Sequence, residues 1–130
     1  MGINAFQGAQ CAGNVALSSG SLTGSIPIYA GGRNTSSAYT LAAAELLCVL
    51  SLLITSTDTV TELVTITDGA PTYATVLFKG YVNKSAPLSL QVPPGVLFGF
   101  PATNLVATAG AVSAGKSVGV ELLGLVVTRA

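Results

Sequence analysis

Hydrophobic and polar residues alternate over short stretches in the middle of the chain, which is the pattern of β-strands. Residues 46–54 are apolar at nearly every position, as in a strand that is buried on both faces. Residues 60–67, 75–82 and 88–92 follow, with apolar side chains recurring at alternate positions. Turn-forming Asp, Gly and Pro residues separate these stretches. The pattern predicts four successive strands as the centre of the fold.

The flanking segments have the same character. Residues 22–29 predict an earlier strand, which Pro27 restricts to a sheet edge or a bulge because proline has no N–H to donate. Residues 96–100, 104–108 and 117–128 predict three later strands, the last one buried on both faces. About eight short strands separated by turns are typical of a sandwich or barrel. We predict an all-β fold, an antiparallel and jelly-roll-like β-sandwich, with residues 21–130 as its single domain.

A helix is the alternative for the most apolar stretch. Residues 41–54 number 14 and include Glu45 and Ser51, so the stretch is too short to span a membrane. We expect any helical turn only near residues 42–45. No membrane partner is predicted.

Residues 1–20 are predicted to form an extended N-terminal arm. They are mostly Gly, Ala, Asn, Gln and Ser, so we expect them to be ordered only where they lie on another surface. Either the arm adds an edge strand to its own sheet, or it docks on a neighbouring subunit. We favour docking, with Phe6, Gln7, Gln10 and Asn14 as candidate interface residues.

Charged residues make up only 8% of the chain, half of the residues are hydrophobic, and the formal net charge is zero. Soluble domains usually carry about a quarter charged residues. Either a Ser/Thr-rich surface covers a tightly packed monomer, or much of the surface is buried against other subunits, and we favour the second. The five cationic residues do not cluster, which argues against a nucleic-acid partner.

The sequence offers little catalytic chemistry. It has no histidine, which excludes Ser-His and Cys-His nucleophiles and histidine metal sites. Asp58 and Asp68 fall in predicted turns, while Glu62 and Glu121 lie on predicted strands, and we expect these acids to be solvated. We predict no enzyme activity, no catalytic residue, no cofactor and no metal. Glycoside hydrolysis by a carboxylate pair stays open as the alternative.

Two further sequence features, a match to the phosphate-loop pattern and a pair of cysteines, are interpreted as structural rather than functional. Residues 110–117 match the phosphate-loop pattern G-x-x-x-x-G-K-[ST], but a β-like segment follows where that motif needs a helix, so we expect an ordinary loop. Cys11 and Cys48 are the only cysteines, and we expect free thiols rather than a disulfide.

The central module resembles small β-sandwich structural proteins of tailed bacteriophages. The resemblance covers about residues 40–127 and lies in four segments, with Thr55-Ser56 where the family pattern often has Asn before the first turn. The matching segments are residues 52–60, 63–69, 75–80 and 88–90.

The resemblance implies a capsid decoration (cement) protein or a head–tail accessory protein. We expect a protein of the capsid surface, assembled in the host cytoplasm, that binds the major capsid protein and forms a homo-oligomer, with a trimer favoured. The alternative is a fibre-tip or lectin-like module that binds a receptor or glycan. That alternative predicts a shallow surface cluster of Tyr with Asp or Asn, drawn from Tyr29, Tyr39, Tyr73 and Tyr81.

Overall fold

The computed structural model describes residues 9–30, 38–39, 41, 44–68, 75–93, 98–99 and 105–128. Within these ranges the chain contains ten strands and no helix, so the prediction of an all-β antiparallel sandwich is confirmed. The strands are β1 (Ala9–Ser18), β2 (Thr23–Ser25), β3 (Ile28–Ala30), β4 (Glu45–Ser56), β5 (Glu62–Asp68), β6 (Thr75–Val82), β7 (Leu88–Gln91), β8 (Phe98–Gly99), β9 (Leu105–Ala109) and β10 (Ser117–Thr128).

The strands form two antiparallel sheets. The large sheet has the order β3-β1-β10-β4-β7, and β8 also pairs with β4. The small sheet has the order β2-β9-β5-β6. The connections from β4 to β5, from β6 to β7 and from β9 to β10 each cross from one sheet to the other. Strands that follow one another in sequence are therefore often in different layers.

The segment predicted as one strand over residues 22–29 is two short strands in different sheets. β2 pairs with β9 in the small sheet, whereas β3 pairs with β1 in the large sheet. Between them lie Ile26 and Pro27, and proline cannot donate a ladder hydrogen bond. Proline therefore lies where the chain changes sheets rather than within a strand.

The predicted arm of residues 1–20 requires a correction. Residues 9–18 form β1, which pairs with β10 over ten positions and with β3 on its other side. This part of the predicted arm is an inner strand of the chain's own sheet, rather than a separate arm or an edge strand, and its docking on a neighbour stays a prediction. Its inward-facing side chains include Cys11 and Leu17, both fully buried, and small residues between them hid the alternation in the sequence. Phe6 and Gln7 lie outside the described residues.

The core fills the space between the two sheets with aliphatic side chains. Large side chains with almost no exposure come from both layers: Leu17, Ile54, Val118, Val120 and Leu122 from the large sheet, and Val64, Ile66 and Val82 from the small sheet. Burying each such side chain stabilises the fold by about 1.5–3 kcal/mol before the conformational entropy is subtracted.

A β-bulge in β4 explains its long apolar run. Gly124 of β10 pairs with Val49 and Leu123 pairs with Ser51, so Leu50 has no paired residue in β10. The extra residue changes the phase of alternation. Val49 and Leu52 consequently both face the core although their spacing is odd. The strand was predicted to be buried on both faces, yet Leu53 on its outer face is 40% exposed.

Gly124 lies beside the bulge with no room for a side chain. A Cβ at this position would lie 2.5 Å from the carbonyl oxygen of Cys48. We expect Gly124→Ala to lower the free energy of unfolding by about 1–3 kcal/mol, as overpacking does elsewhere. Gly20→Ala is the control, because no atom lies within 4 Å of its ideal Cβ. Urea unfolding measures both, and equal stability of the two variants would contradict the close contact.

Candidate functional site

The outer face of the large sheet carries a shallow depression of about 560 Å³. Side chains from five neighbouring strands, β3, β1, β10, β4 and β7, line this depression. Glu121 of β10 pairs with Asn14 of β1 on one side and with Leu53 of β4 on the other. At the two ends of the row, Tyr29 pairs with Ala12 and Gln91 pairs with Ser51. We call this surface the outer face and define it by Asn14, Tyr29, Ser51, Leu53, Ser89, Gln91, Glu121 and Leu123.

The outer face has an apolar centre and a polar rim. Leu123 on β10 is 57% exposed and Leu53 on the adjacent β4 is 40% exposed. Uncharged polar side chains and one carboxylate surround the two leucines, and Glu121 is the single charged residue lining the described depression. An apolar centre enclosed by polar groups is the usual anatomy of a protein–protein interface.

Two of the four candidate interface residues, Asn14 and Gln10, are among the described residues, and both lie on this side of the large sheet. Asn14 is exposed and lines the depression. Gln10 is also exposed and lies four residues earlier on β1, on the same face of the sheet. Sequence reasoning missed Leu53 and Leu123, because their strands were interpreted as buried on both faces. Only the two-sheet packing distinguishes an exposed leucine from a core leucine in such runs.

The tyrosines do not gather into one described cluster. Tyr29 lines the depression, whereas Tyr81 is 66% exposed on β6, the edge strand of the small sheet. The Tyr39 hydroxyl donates to Glu45 Oε1 at 2.6 Å, and this hydrogen bond raises the pKa of Tyr39. Tyr73 lies outside the described residues. The outer face thus combines one tyrosine with Asn14, Gln91 and Glu121.

Two acids expected to be solvated are buried, which corrects the sequence prediction. Asp58 is 2% exposed and Glu62 is 3% exposed. The sequence could not show this burial, because the residues that cover the two acids come from distant parts of the chain. A substrate in solution cannot reach either carboxyl group in this arrangement. Glu121, in contrast, is exposed as expected.

The segment with the phosphate-loop pattern is a loop between β9 and β10. The N–H of Lys116 donates to the carbonyl of Ser113 at 3.0 Å, and Gly115 has a positive φ of 76°. The next element is β10, so this loop does not precede the helix whose N-terminus would bind phosphate. The prediction that these residues form an ordinary loop is confirmed.

The two cysteines are buried and form no disulfide, as expected, and they lie on β1 and β4, the strands on either side of β10. Burial raises the pKa of Cys11 to about 11, and the neighbouring Cys48 adds to this rise. Neither thiol belongs to a described cluster of three or more His, Cys, Asp or Glu residues. The described residues also include no helix long and apolar enough to span a membrane.

Both thiols should therefore react slowly in the folded protein. We expect modification of Cys11 and Cys48 by a small aromatic disulfide to be at least about tenfold slower without denaturant than with it, because both side chains are buried away from the reagent and burial disfavours the nucleophilic thiolate of Cys11. Absorbance of the released thiolate measures the rate, and a free cysteine peptide is the control. Rapid labelling of both residues under native conditions would contradict their burial.

Comparison with known proteins adds no relative: no family model, no curated protein and no solved structure matches the chain.

Proposed function

We propose that this chain is a structural protein of a virion, and specifically a decoration protein that binds the major capsid protein and stabilises the head. The observation that carries the proposal is the outer face, which presents Leu53 and Leu123 on a protein that is poor in charge. Two exposed leucines at the centre of one sheet face favour burial against a partner.

Strand pairing gives the proposal its second support. β5 pairs with β6, β4 with β7, β2 with β9 and β1 with β10, so the hydrogen-bonded pairs are nested one inside the next. We infer that the sandwich is a jelly roll, since a long hairpin wound around a barrel has this nesting. Viral capsid domains and lectins both use jelly rolls, so the fold is compatible with the proposal without establishing it.

The proposed mechanism is passive and multivalent. The outer face of each copy buries against the major capsid protein, and neighbouring copies, favoured as trimers, link adjacent subunits. Many weak contacts across the capsid add up because each bound copy raises the effective concentration of the next contact. In this proposal Asn14 and Gln10 lie at the interface. The bacteriophage assignment rests on the sequence resemblance.

Glycan binding on the same surface is the second candidate function. Tyr29, Asn14, Gln91 and Glu121 provide an aromatic ring and several hydrogen-bonding groups around the depression. Tyrosine offers an apolar ring face with a polar tip, which suits sugar rings. Leu123 protrudes beside these groups and supports a protein partner more than a sugar, so we rank this candidate second.

Leu123→Asp tests the proposed interface. We expect it to weaken binding to purified capsids of the virus that encodes this chain by at least about tenfold, or about 1.4 kcal/mol, because the carboxylate must be desolvated at the apolar centre. Val76→Asp is the matched control, because Val76 is 48% exposed on β6 of the other sheet. Sedimentation with capsids measures binding, and the capsid melting temperature should rise with the wild-type chain.

The same experiment separates the two candidate functions. The glycan-binding function would be favoured if the wild-type chain does not bind capsids but binds a glycan array, and if Gln91→Ala abolishes that glycan binding. Equal capsid binding by Leu123→Asp and Val76→Asp would exclude the outer face as the interface. Circular dichroism of each variant establishes that it retains the all-β fold.

A further inference from the structure

Asp58 connects three chain segments that cross between the sheets. It lies in the β4–β5 connection, where its Oδ1 accepts from the N–H of Val60 at 3.1 Å. Its Oδ2 accepts from the N–H of Ser113 in the β9–β10 connection at 2.8 Å. Its backbone carbonyl accepts from the N–H of Lys84 in the β6–β7 connection at 2.7 Å. One buried residue therefore joins three connections of the sandwich.

Neighbouring hydrogen bonds reinforce this junction. The N–H of Asp58 donates to Ser56 Oγ at 2.9 Å, which fixes the start of the β4–β5 connection. The N–H of Thr57 donates to the carbonyl of Ser117 at 3.0 Å, and the N–H of Ser117 donates to Thr57 Oγ1 at 2.9 Å. The β4–β5 and β9–β10 connections are thus held together at several points, of which Asp58 is the only charged one.

Glu62 supplies a second buried carboxyl group beside Asp58. It is the first residue of β5 and is 3% exposed, yet neither of its carboxyl oxygens receives a hydrogen bond from a donor in the described structure. The groups that act on the pKa of its carboxyl are Asp58 and Ser56. A buried carboxylate without a donor is strongly disfavoured, and a second carboxylate next to it makes the ionised form worse.

The negative charge of two buried carboxylates, Asp58 and Glu62, must be offset, and a bound proton fits this site better than a metal ion. Calcium prefers about six to eight oxygen ligands, whereas both Asp58 carboxyl oxygens already accept backbone N–H groups, and no described cluster of three or more His, Cys, Asp or Glu residues lies here. The charged side chains on the surrounding segments are Lys84 and Lys116, and both are exposed to solvent. The remaining way to satisfy both groups is a proton on Glu62 that is donated to the Asp58 carboxylate.

We propose that Asp58 and Glu62 share one proton and that this carboxyl pair is a pH-sensitive clamp on the three connections. With the proton present, Glu62 donates to Asp58 and the connections stay joined. When the proton leaves, two adjacent buried carboxylates repel each other, and the β4–β5 connection separates from the β9–β10 connection. This inference is independent of the proposed function.

The pKa values of the two groups shift in the opposite directions that such a pair requires. Burial, followed by the hydrogen bond and the charge of Asp58, raises the pKa of Glu62 from 4.5 to about 7, against a smaller lowering by the Ser56 hydroxyl. The hydrogen bonds from Glu62, Ser113 and Val60 hold the pKa of Asp58 well below its usual range. The pair therefore titrates as one unit that keeps a single proton at mildly acidic pH.

The sign of the pH dependence follows from these shifts. Between 4.5 and about 7, the folded chain holds the Glu62 proton more tightly than the unfolded chain does, so the free energy of unfolding falls as the pH rises. The contribution of Asp58 is present above its ordinary pKa of 3.8 and is lost as the pH falls toward its lowered folded value. The clamp stabilises the fold most at mildly acidic pH.

Glu62→Gln tests the clamp, because the amide is nearly isosteric, carries no charge and can donate to Asp58. We expect the wild-type melting temperature to fall between about pH 5 and about pH 8.5, and the Glu62→Gln melting temperature to fall less and to be higher at the alkaline end. Glu121→Gln is the matched control, because Glu121 is an exposed glutamate on the large sheet. The control should keep the wild-type slope.

A second measurement on the wild-type chain does not depend on how a variant folds. Carbon-13 NMR titration of the glutamate side-chain carboxyls should show one midpoint near the raised pKa of Glu62, about 7. A Glu62 midpoint at its ordinary value, or equal pH slopes for wild type and Glu62→Gln, would overturn the proposal. A rise in melting temperature with calcium chloride at about pH 8, abolished in Glu62→Gln, would replace the shared proton with a cation site.

Discussion

The fold depends on the pairing of β10 between β1 and β4. β10 is a strand of 12 residues that pairs with β4 from Glu45 to Ser56 and with β1 from Ala9 to Ser18. The first and last described strands are therefore adjacent, although most of the sequence separates them. These contacts are far apart in sequence, so closing them costs chain entropy that only burial of the shared core offsets.

The same pairing generates the two faces of the large sheet. Val118, Val120 and Leu122 point into the core, while Glu121 and Leu123 between and beyond them point outward. Leu123 belongs to the apolar run of β10 but faces away from the core, so it forms part of the apolar centre of the outer face. A partner that covers Leu123 and Leu53 would complete the burial that the small sheet provides on the other side.

The clamp and the outer face occupy different parts of the molecule. Asp58 and Glu62 lie where the chain crosses between sheets, whereas the outer face lies along the strands of the large sheet. Ionisation of Glu62 would loosen the crossing connections first, because its carboxyl lies beside the residue that joins them. The outer face would change only if the loosening spread along β4, whose last residue, Ser56, accepts the N–H of Asp58. The stability of the fold can therefore respond to pH without a change in the outer face.

The fold class and most strand positions could be predicted from the sequence, because alternation, apolar runs and turn residues are local signals. The sequence also indicated an irregular strand at Pro27 and an ordinary loop at residues 110–116. Features that depend on the pairing register of distant segments follow only from the tertiary structure. Residues 9–18, predicted as an arm, form an inner strand because they pair over ten positions with β10, a strand far away in the sequence. The tertiary structure likewise exposed Leu123 and buried Asp58 beside Glu62, since only the packing of the two sheets determines which face of a strand is covered and which distant N–H groups meet a carboxylate.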